Sequence, residues 1–508
     1  MSTQKPLILH NAQCSRRNDI PRLALSEFRT RILAGTTAGM RMAALFGEGP
    51  GGGRPVILHV LLADDQAGSL EWLATEVEGG YPSLTPDCAQ AHWFERELAE
   101  QWAIKPEGHP WLKPLRFHRA YRDKPDVWGR KGEKPPEPSV ANFFGMEGRE
   151  AHEVAVGPVH AGIIEPGHFR FQCHGEQVFH LEISLGYQHR GVERALIGGP
   201  GRRTLFLMET AAGDTTIGHA TAYCQAAEAL SGCRVPARAQ VLRAIALELE
   251  RLANHTGDLG ALAGDVGYLP TASYCGRIRG DFLNMTALLC GSRFGRGWIR
   301  PGGISFNVDA DRVRQLEERL IQARRDVTSA VTLLWDTSSV RARFENAGVL
   351  PAALCQQLGL VGVAARASGI ERDVRREFPF GLYRFAQIPV STYPTGNVYA
   401  RAYVRWLEIQ RSLTFIQEQL RTIPAGSVET RPGPFKPDAA VVSMTEGWRG
   451  EICHVAITDS QGRIACYKIV DPSFHNWMGL AMALRDQQIS DFPLCNKSFN
   501  LSYCGHDL

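Results

Sequence analysis

A segment rich in proline and charge divides the 508-residue chain into two unequal parts. The stretch RDKPDVWGRKGEKPPEPS at residues 122–139 contains four prolines and few apolar residues. Such a composition cannot bury enough apolar surface to pack, and proline interrupts both helices and sheets. We therefore predict a small domain over residues 1–121, a linker over 122–150 and a large domain over 151–508.

The small domain has the patterns of an α/β unit. Residues 54–63 form a β-rich apolar run that follows a glycine cluster, which is a loop signal. Residues 92–104 have the pattern of a short helix in which acidic and basic side chains alternate. Taken alone, these alternating charges indicate a helix face that is exposed to solvent.

Longer helices and two hairpins are predicted in the large domain. Apolar residues recur three and four positions apart over residues 313–334, which indicates a long core helix. Another helix is predicted after Pro236 and a third over residues 403–420. Alternating residues over 167–183, and two β-rich runs around the turn 459–462, predict hairpins. The predicted fold class is therefore α+β, with β-structure at both ends of a mainly helical domain.

The composition excludes several classes of protein. The formal net charge is +3 and the chain has no lysine–arginine run, so we expect no binding to nucleic acid. No apolar stretch approaches the roughly 18 residues that a membrane span needs, and the N terminus lacks a signal-peptide pattern. We therefore expect membrane contact through partner proteins only. The twelve cysteines contain no CxxC pair, so we expect free thiols rather than disulfides.

One short motif places three titratable or charged side chains close together. GlyTyrGlnHisArgGlyValGluArg at residues 186–194 contains His189, Arg190 and Glu193. If this turn is helical, His189 and Glu193 share a face. The arrangement suits a proton relay, but it equally suits a structural ion pair between Glu193 and Arg190.

Glycine-shaped loops carry further candidate residues. His160 and His168 follow Gly/Pro turns, where they could be ligands, line a pocket or form ordinary hydrogen bonds. Asp214 and His219 lie in GlyAspThrThrIleGlyHisAla, which lacks the lysine of a phosphate-binding loop. The loop therefore gives no support for nucleotide binding.

The C-terminal third of the chain adds two more candidates. Arg449 precedes a predicted strand in TrpArgGlyGlu and could point into a site or cap a sheet edge. Residues 497–508, which include Asp507, are rich in aromatic and polar side chains. Terminal segments usually fray, so this composition predicts a tail that docks into the fold.

These motifs occur in the order found in a known family. The chain resembles the fused large subunit of membrane-bound group 4 nickel–iron hydrogenases and the corresponding quinone-site subunits of respiratory complex I. GluArgGluLeuAlaGluGlnTrp (95–102) is similar to the 30-kDa subunit of complex I. TyrGlnHisArgGlyValGlu (187–193), IleArgProGlyGly (299–303) and ArgGlyGlu (449–451) are similar to the 49-kDa subunit and the hydrogenase large subunit. The resemblance implies a small α/β domain of the first type, followed by a mainly helical domain of the second type.

The chain departs from the hydrogenases at their metal ligands. Alignment on HisAlaThrAlaTyr (219–223) places the four cysteine ligands of the family at Ala212, Thr215, Ser502 and Gly505. None of these side chains is a thiolate, whereas nickel in this family requires soft thiolate ligands. The resemblance therefore implies neither a metal site nor hydrogenase activity in this chain.

The chain also departs from complex I, whose subunits bind quinone with a tyrosine and a histidine. His168 resembles that histidine, whereas the tyrosine falls at Gly213. The resemblance thus implies a modified quinone-like pocket that includes His168, Gly213 and Thr215. The polar shell that it implies for catalysis or proton transfer consists of Glu193, His189, Arg190, Asp214, His219, Arg449 and Asp507.

The resemblance implies a peripheral subunit on the cytoplasmic face of the cell inner membrane. We expect no cofactor in this chain. The expected partners are an iron–sulfur subunit, which would carry a 4Fe–4S cluster, and antiporter-like membrane subunits. The leading hypothesis couples a redox or proton event in a polar cavity to ion-translocating membrane subunits. The alternatives are an NADH- or ferredoxin-linked quinone oxidoreductase subunit and a structural scaffold with a vestigial cavity.

Overall fold

The computed structural model describes residues 5–49, 55–122, 125–130 and 142–508. Its first elements are β1 (Leu7–Leu9), β2 (Cys14–Arg16), β3 (Arg22–Leu23), α1 (Leu25–Thr37), β4 (Arg41–Glu48), β5 (Val56–Asp64), β6 (Ser69–Val77), β7 (Gly80–Pro82), α2 (His92–Trp102) and β8 (Lys105–Glu107). Strands β1, β6, β5 and β4 pair in that order in an antiparallel sheet, and β3 pairs with β6 in parallel. The predicted strand and helix of the small domain are thus confirmed as β5 and α2.

The charged helix α2 is buried, so the prediction of a solvent-exposed face is wrong. Glu95, Arg96, Glu97 and Glu100 are at most 5% exposed. Their charges are compensated inside the protein: Glu97, for example, lies 2.6 Å from the ammonium group of Lys468 in the large domain. Buried charges need such partners, and partners this far away in sequence leave no local signal.

The predicted linker lies partly outside the described residues. Residues 123–124 and 131–141 are not described, and neither is the glycine cluster before β5. The described parts of the linker, 125–130 and 142–150, contain turns but no helix or strand. The domain boundary at residues 122–150 therefore stays a prediction.

The large domain begins with an antiparallel sheet and continues with helices. Its sheet contains β9 (Ala151–Val156), β10 (His168–His174) and β11 (Gln177–Ser184), with β10 in the centre. The helical part comprises α3 (Val192–Ala195), α4 (Thr204–Glu209), α5 (Thr216–Ser231), α6 (Ala237–Asp265), α7 (Leu269–Cys290), the ribbon β12 (Ile299–Arg300) and β13 (Gly303–Ile304), α8 (Ala310–Asp336), α9 (Ser338–Glu345), α10 (Ala352–Leu358), α11 (Gly362–Arg366), α12 (Val374–Glu377) and α13 (Val398–Arg421). Helices α6, α8 and α13 confirm the three predicted helices, and β10–β11 confirms the first predicted hairpin.

The large domain ends in a second sheet, which is followed by three helices. These elements are β14 (Ala439–Glu446), β15 (Glu451–Thr458), β16 (Ile464–Val470), α14 (Pro472–Ala483), α15 (Phe492–Phe499) and α16 (Tyr503–Asp507). The predicted hairpin around residues 459–462 is confirmed as β15–β16. Asp507 and Leu508 are at most 2% exposed, which confirms that the tail docks into the fold.

The N-terminal strand β2 completes this second sheet. Its Cys14 lies opposite Val441 of β14 in an antiparallel pair, so the strand order is β16–β15–β14–β2. Beyond this shared sheet, the guanidinium of Arg116 donates two hydrogen bonds to the carbonyl oxygen of His506. The N-terminal residues and the helix-rich part therefore form one packed unit.

Candidate functional site

The four positions at which the resemblance places the hydrogenase cysteines lie together. A β-carbon built on Gly505 would stand 3.0 Å from Cβ of Ala212 and 2.8 Å from Cγ of Asp471. The amide of Gly505 donates to Oγ of Ser502 at 2.9 Å, and the amide of Thr215 donates to the carbonyl of Ala212 at 3.4 Å. The loop before α5 and the start of α16 thus meet in direct contact.

Arg449 joins the two loops of this site. Its Nη1 donates to the carbonyl of Gly213 at 2.7 Å and to Oγ1 of Thr215 at 3.1 Å. Its Nε donates to the carbonyl of Asn500 at 2.6 Å. The guanidinium also lies over the ring of Trp448, 3.9 Å from its centre. These contacts place the predicted residue Arg449 inside the site and rule out the alternative of a cap on a sheet edge.

Arg190 and Glu193 lie in different environments, so the suggested ion pair between them does not form. Arg190 donates to the carbonyl oxygens of Thr210 and Ala211, at 2.6 and 2.9 Å. Glu193 instead accepts from the ammonium group of Lys468 and from the amide of Ile469, both at 2.9 Å.

The conditional prediction that His189 and Glu193 share a helix face also fails. Gly191 between them has a φ of 65°, in the left-handed region, and α3 begins only at Val192. Because of this turn, His189 is directed toward the tail of the chain while Glu193 is directed toward β16.

His189 and Asp507 fasten the C-terminal tail. His189 donates from Nδ1 to the carbonyl of Asp507 at 2.8 Å and stacks on His118 with ring centres 4.6 Å apart. Burial lowers the pKa of His189 to about 4, so its ring is neutral at physiological pH. The carboxylate of Asp507 accepts from the amides of Gly186 and Gln188, at 2.8 and 2.9 Å.

Asp214 and His219 are separated although they share a motif. Asp214 is 44% exposed and its carboxylate lies 3.5 Å from the guanidinium of Arg279. His219 is fully buried on α5, where its Nε2 lies 3.0 Å from Oδ2 of Asp471 and its Nδ1 lies 3.0 Å from Nε2 of His454. Only His219 of the two therefore faces the contact between Ala212 and Gly505, through Asp471.

His168 lies at the start of β10. Its Nδ1 donates to the carbonyl of Gly157 at 3.2 Å, while its buried Nε2 has no partner among the described residues. Burial lowers the pKa of His168, so the ring favours the neutral state. His160, the other histidine of this region, contacts the carbonyl of Gly167 at 2.9 Å and so closes its own loop.

Glu165 connects this loop to the rest of the site. Its carboxylate accepts from the amides of Tyr503 and Cys504, at 3.1 and 3.3 Å. A β-carbon on Gly213 would lie 3.9 Å from the same carboxylate. The 157–167 loop therefore contacts the C-terminal tail and lies next to the loop that carries Gly213 and Thr215, the two other residues of the predicted pocket. Among the described residues, no contact joins Gly213 or Thr215 to His168.

Several site residues were not found from the sequence. Examples are Asp471, His454, Lys468 and Glu165, whose partners are distant in the chain. The one local signal was AspProSer at residues 471–473, the pattern of a helix start with proline in the first turn. This pattern predicts that Asp471 caps α14, but it does not indicate that Oδ2 of the same carboxylate binds His219.

A buried ionic network lies beneath the site. The side chain of Asn500 donates to Asp258 at 2.6 Å, and Asp258 forms an ion pair with Arg405 at 2.8 Å. Glu408 of α13 pairs with His255 of α6 at 2.8 Å and with Arg366 of α11 at 2.7 Å. This network fixes the helices on which the loop of Arg449 rests.

The nickel–iron centre of the hydrogenases that the chain resembles does not fit these residues. Ala212 and Gly505 offer no donor atom, and Oγ1 of Thr215 already bonds Arg449. Burial and the neighbouring Glu165 raise the pKa of the Cys504 thiol to about 12, so it is protonated and a weak ligand. Within the described ranges, no group of three or more His, Cys, Asp or Glu side chains is arranged to hold a metal ion. All twelve cysteines are free thiols, as expected.

Comparison with known families assigns both parts of the chain. Residues 42–127 match the family described as the 30 Kd subunit of respiratory-chain NADH dehydrogenase. Residues 265–436 match the family described as the 49 Kd subunit of the same enzyme. None of the helices that the structure describes combines the length and hydropathy needed to cross a membrane.

Individual relatives extend the similarity over most of the chain. Formate hydrogenlyase subunit 5 of Escherichia coli (strain K12) is 29% identical over 483 residues, which are 91% of this chain and 84% of that protein. Carbon monoxide-induced hydrogenase of Rhodospirillum rubrum is 31% identical over 350 residues, 69% of this chain and 97% of that protein. A chain in the structure of the membrane-bound sulfane sulfur reductase, an archaeal respiratory membrane complex, has the same fold, with a TM-score of 0.67 and 21% identity over 71% of this chain and 99% of that chain.

Proposed function

The chain belongs to the family that unites large hydrogenase subunits with the 30- and 49-kDa subunits of respiratory NADH dehydrogenase, and on this premise we propose that it is a peripheral subunit of a membrane complex of that type. In this proposal the subunit lacks a nickel–iron centre and couples a redox or proton event in its polar site to ion-translocating membrane subunits. Its partners are an antiporter-like set of membrane subunits and an iron–sulfur subunit with a 4Fe–4S cluster, and it lies on the cytoplasmic face of the inner membrane.

One observation carries the proposal. The loops that bear the family's metal-ligand positions are in contact and are held by Arg449, yet all four positions lack a thiolate. These observations support a site that keeps the arrangement of the family's loops but has lost the soft ligands that hydrogen chemistry requires. Charged and titratable groups remain around it, and such groups suit proton transfer more than binding of nickel.

The composition of the purified complex tests this proposal. The chain would carry its affinity tag at the N terminus, because Leu508 is buried, and would be purified from native membranes in mild detergent. We expect antiporter-like membrane subunits and an iron–sulfur protein to copurify in fixed ratio. The same membranes without the tagged chain are the control. Recovery of the chain with no membrane subunit would overturn the proposal.

A modified quinone pocket is the second candidate function. It is favoured by the buried Nε2 of His168, which has no partner among the described residues and, in the neutral ring whose Nδ1 donates to Gly157, could accept a hydrogen bond from a quinol hydroxyl. Reduction of a quinone analogue by the purified complex, lost in His168→Ala and unchanged in His160→Ala, would select this function. A complex that assembles but shows neither quinone reduction nor proton-coupled activity would favour the third candidate, a structural scaffold.

A further inference from the structure

Four buried side chains form an unbroken series of hydrogen bonds next to the site. The hydroxyl of Tyr467 lies 2.9 Å from Nδ1 of His454, whose Nε2 lies 3.0 Å from Nδ1 of His219. Nε2 of His219 lies 3.0 Å from Oδ2 of Asp471. Tyr467 is 4% exposed and the other three are inaccessible to solvent. Asp471 caps the start of α14, but this cap does not require the other three side chains, which come from α5, β15 and β16.

The ionised carboxylate fixes the direction of the bond at its own end of the series. Burial opposes ionisation, but the hydrogen bond and charge of His219, followed by the charge of Arg449, hold the pKa of Asp471 below its usual value. A carboxylate only accepts, so Nε2 of His219 carries the proton of this bond. Burial, with the neighbouring His219, lowers the pKa of His454 well below its usual value, so the ring of His454 is neutral and carries one proton. When that proton is on Nε2, His454 donates to Nδ1 of His219 and accepts from Tyr467 at its own Nδ1, and all three donors then point toward Asp471.

Asp471 stands at the position where the family's thiolates would converge. Its Cγ lies 2.8 Å from a β-carbon built on Gly505, and that β-carbon would also touch Ala212. The other polar groups around the carboxylate are the amide of Ser473, which donates to Oδ1 at 2.8 Å, and the positive charge of Arg449. His475 on α14 is near enough for its pKa to be influenced by Asp471, but burial lowers that pKa to about 3 and the ring is neutral.

We propose that Tyr467, His454, His219 and Asp471 form the proton relay of this site, with Asp471 as its terminal carboxylate. The inference rests on the proposed function, because it supplies the proton path for that site. In one transfer the Tyr467 proton moves to Nδ1 of His454, the Nε2 proton of His454 moves to Nδ1 of His219, and the Nε2 proton of His219 moves to Asp471. The Tyr467 oxygen then takes a proton from water, so that the net result is one proton delivered to the site.

Glu193 is less suited to this role than Asp471. Its carboxylate is held by Lys468 and by the amide of Ile469, and the same ammonium group also pairs with Glu97. A carboxylate bound in this way serves as a fixed structural partner of Lys468. Asp471, in contrast, is connected to a chain of groups that can each accept and release a proton.

Nitrogen NMR of the isolated chain tests the direction of the relay. With ¹⁵N-labelled histidine, we expect both His219 and His454 to carry a proton on Nε2. Tyr467→Phe should change the Nδ1 resonance of His454, because that atom loses its donor. The matched control is Tyr223→Phe, since Tyr223 is also 4% exposed and its ring centre lies 6.5 Å from that of Tyr467. Protonation of either ring at Nδ1 instead of Nε2 would overturn the relay, and this result would not depend on any partner subunit.

Proton-coupled turnover of the assembled complex tests the role of the relay. Asp471→Asn keeps the shape and the cap of α14, and we expect it to lower the rate by about 100-fold or more, the usual weight of a proton-transfer group. Tyr467→Phe should lower it by at least about tenfold and increase the solvent isotope effect, whereas Tyr223→Phe should leave it unchanged.

The outcomes separate the relay from the function on which it rests. Full rates in assembled Tyr467→Phe complexes, or equal losses in Tyr467→Phe and Tyr223→Phe, would overturn the relay and leave the proposed function intact. If Asp471→Asn does not assemble, Tyr467→Phe decides alone, because it removes only a hydroxyl. A chain that copurifies with no membrane subunit would instead overturn the proposed function, and with it the role of the relay.

Discussion

Asp471 and Gly505 are packed so closely that a side chain on Gly505 has no room beside the carboxylate. A β-carbon at this position would lie 2.8 Å from Cγ and 2.9 Å from Oδ1 of Asp471. Both residues are buried, and Ala212 closes the third side at 3.0 Å. In this arrangement of the site, position 505 therefore has room only for glycine.

We predict that Gly505→Ala destabilises the protein by about 1–3 kcal/mol, because the buried methyl group forces its neighbours apart. Gly276→Ala is the matched control, since a β-carbon at that exposed helical position would meet no atom within 4 Å. It should raise stability by up to about 1 kcal/mol through helix propensity. Urea unfolding of both variants provides the measurement. Equal stability of Gly505→Ala and the wild type would show that the contact is loose.

We predict that the purified chain contains no stoichiometric nickel. The four aligned positions are alanine, threonine, serine and glycine, none of which supplies a thiolate. Elemental analysis by mass spectrometry measures this directly. A variant with cysteine at all four positions should also remain free of nickel, because Asp471 lies where the side chain at 505 would have to enter. One nickel per wild-type chain would contradict the assignment of the site.

We predict that no iron–sulfur cluster is bound by the isolated chain. Such clusters are usually held by four cysteines in closely spaced runs, whereas no two of the twelve cysteines here are arranged as CxxC. Burial also raises the pKa of several of these thiols, for example that of Cys495 to about 11. Absorption spectra of the anaerobically purified chain and of the complex give the comparison. The characteristic visible absorption should belong to the complex, and its presence in the chain alone would sink the prediction.

We predict that Glu193→Gln lowers the free energy of unfolding by about 1–3 kcal/mol, because Lys468 loses one of two carboxylate partners in a buried place. Glu318→Gln is the control: Glu318 is 64% exposed and pairs with Arg314 on the surface of α8, so its change should be near zero. Chemical denaturation of the two variants measures the difference. If Glu193 were instead the relay carboxylate, its variant would keep full stability and lose proton-coupled activity.

We predict that Glu250 makes the protein less stable as the pH rises toward 8. Its carboxyl group accepts from the amides of Ile217 and Gly218, while burial raises its pKa from 4.5 to about 8. The folded chain therefore binds this proton more tightly than the unfolded chain, and the stabilising contribution of Glu250 is fully present below pH 4.5. This contribution is lost as the pH rises from 4.5 to about 8, by about 1 kcal/mol per pH unit. Unfolding free energies measured over this range should fall more steeply for the wild type than for Glu250→Gln. Parallel pH profiles would contradict the prediction.

The sequence predicts the elements of this fold better than their contacts. The helical period over residues 313–334 and the turn at 459–462 are local signals, and both recur as α8 and the β15–β16 hairpin. They are reliable because each depends on neighbours within a few residues. The pairing of β2 with β14 has no such signal, since its two strands are separated by almost the whole chain.

The site shows the same difference between local signals, which the sequence contains, and long-range contacts, which it does not reveal. The motifs around Arg449 and His219 could be found from the sequence, and both residues lie at the site. The partners of these residues could not be found from the sequence, because the fold, and not closeness in sequence, brings a buried histidine next to a carboxylate. Asp471 is 252 residues from His219. Arg190 and Glu193 are only three positions apart in sequence, yet one left-handed glycine directs them to different partners.

The pairing of Cys14 with Val441 has a consequence for synthesis. Strand β2 leaves the ribosome more than four hundred residues before β14, the strand that completes its hydrogen bonds. At about 5–20 residues per second, this edge waits for tens of seconds without its partner. We therefore expect the sheet to close only after β14 has been translated, so that ribosome-bound fragments ending before β14 expose β2 as a free edge to chaperones.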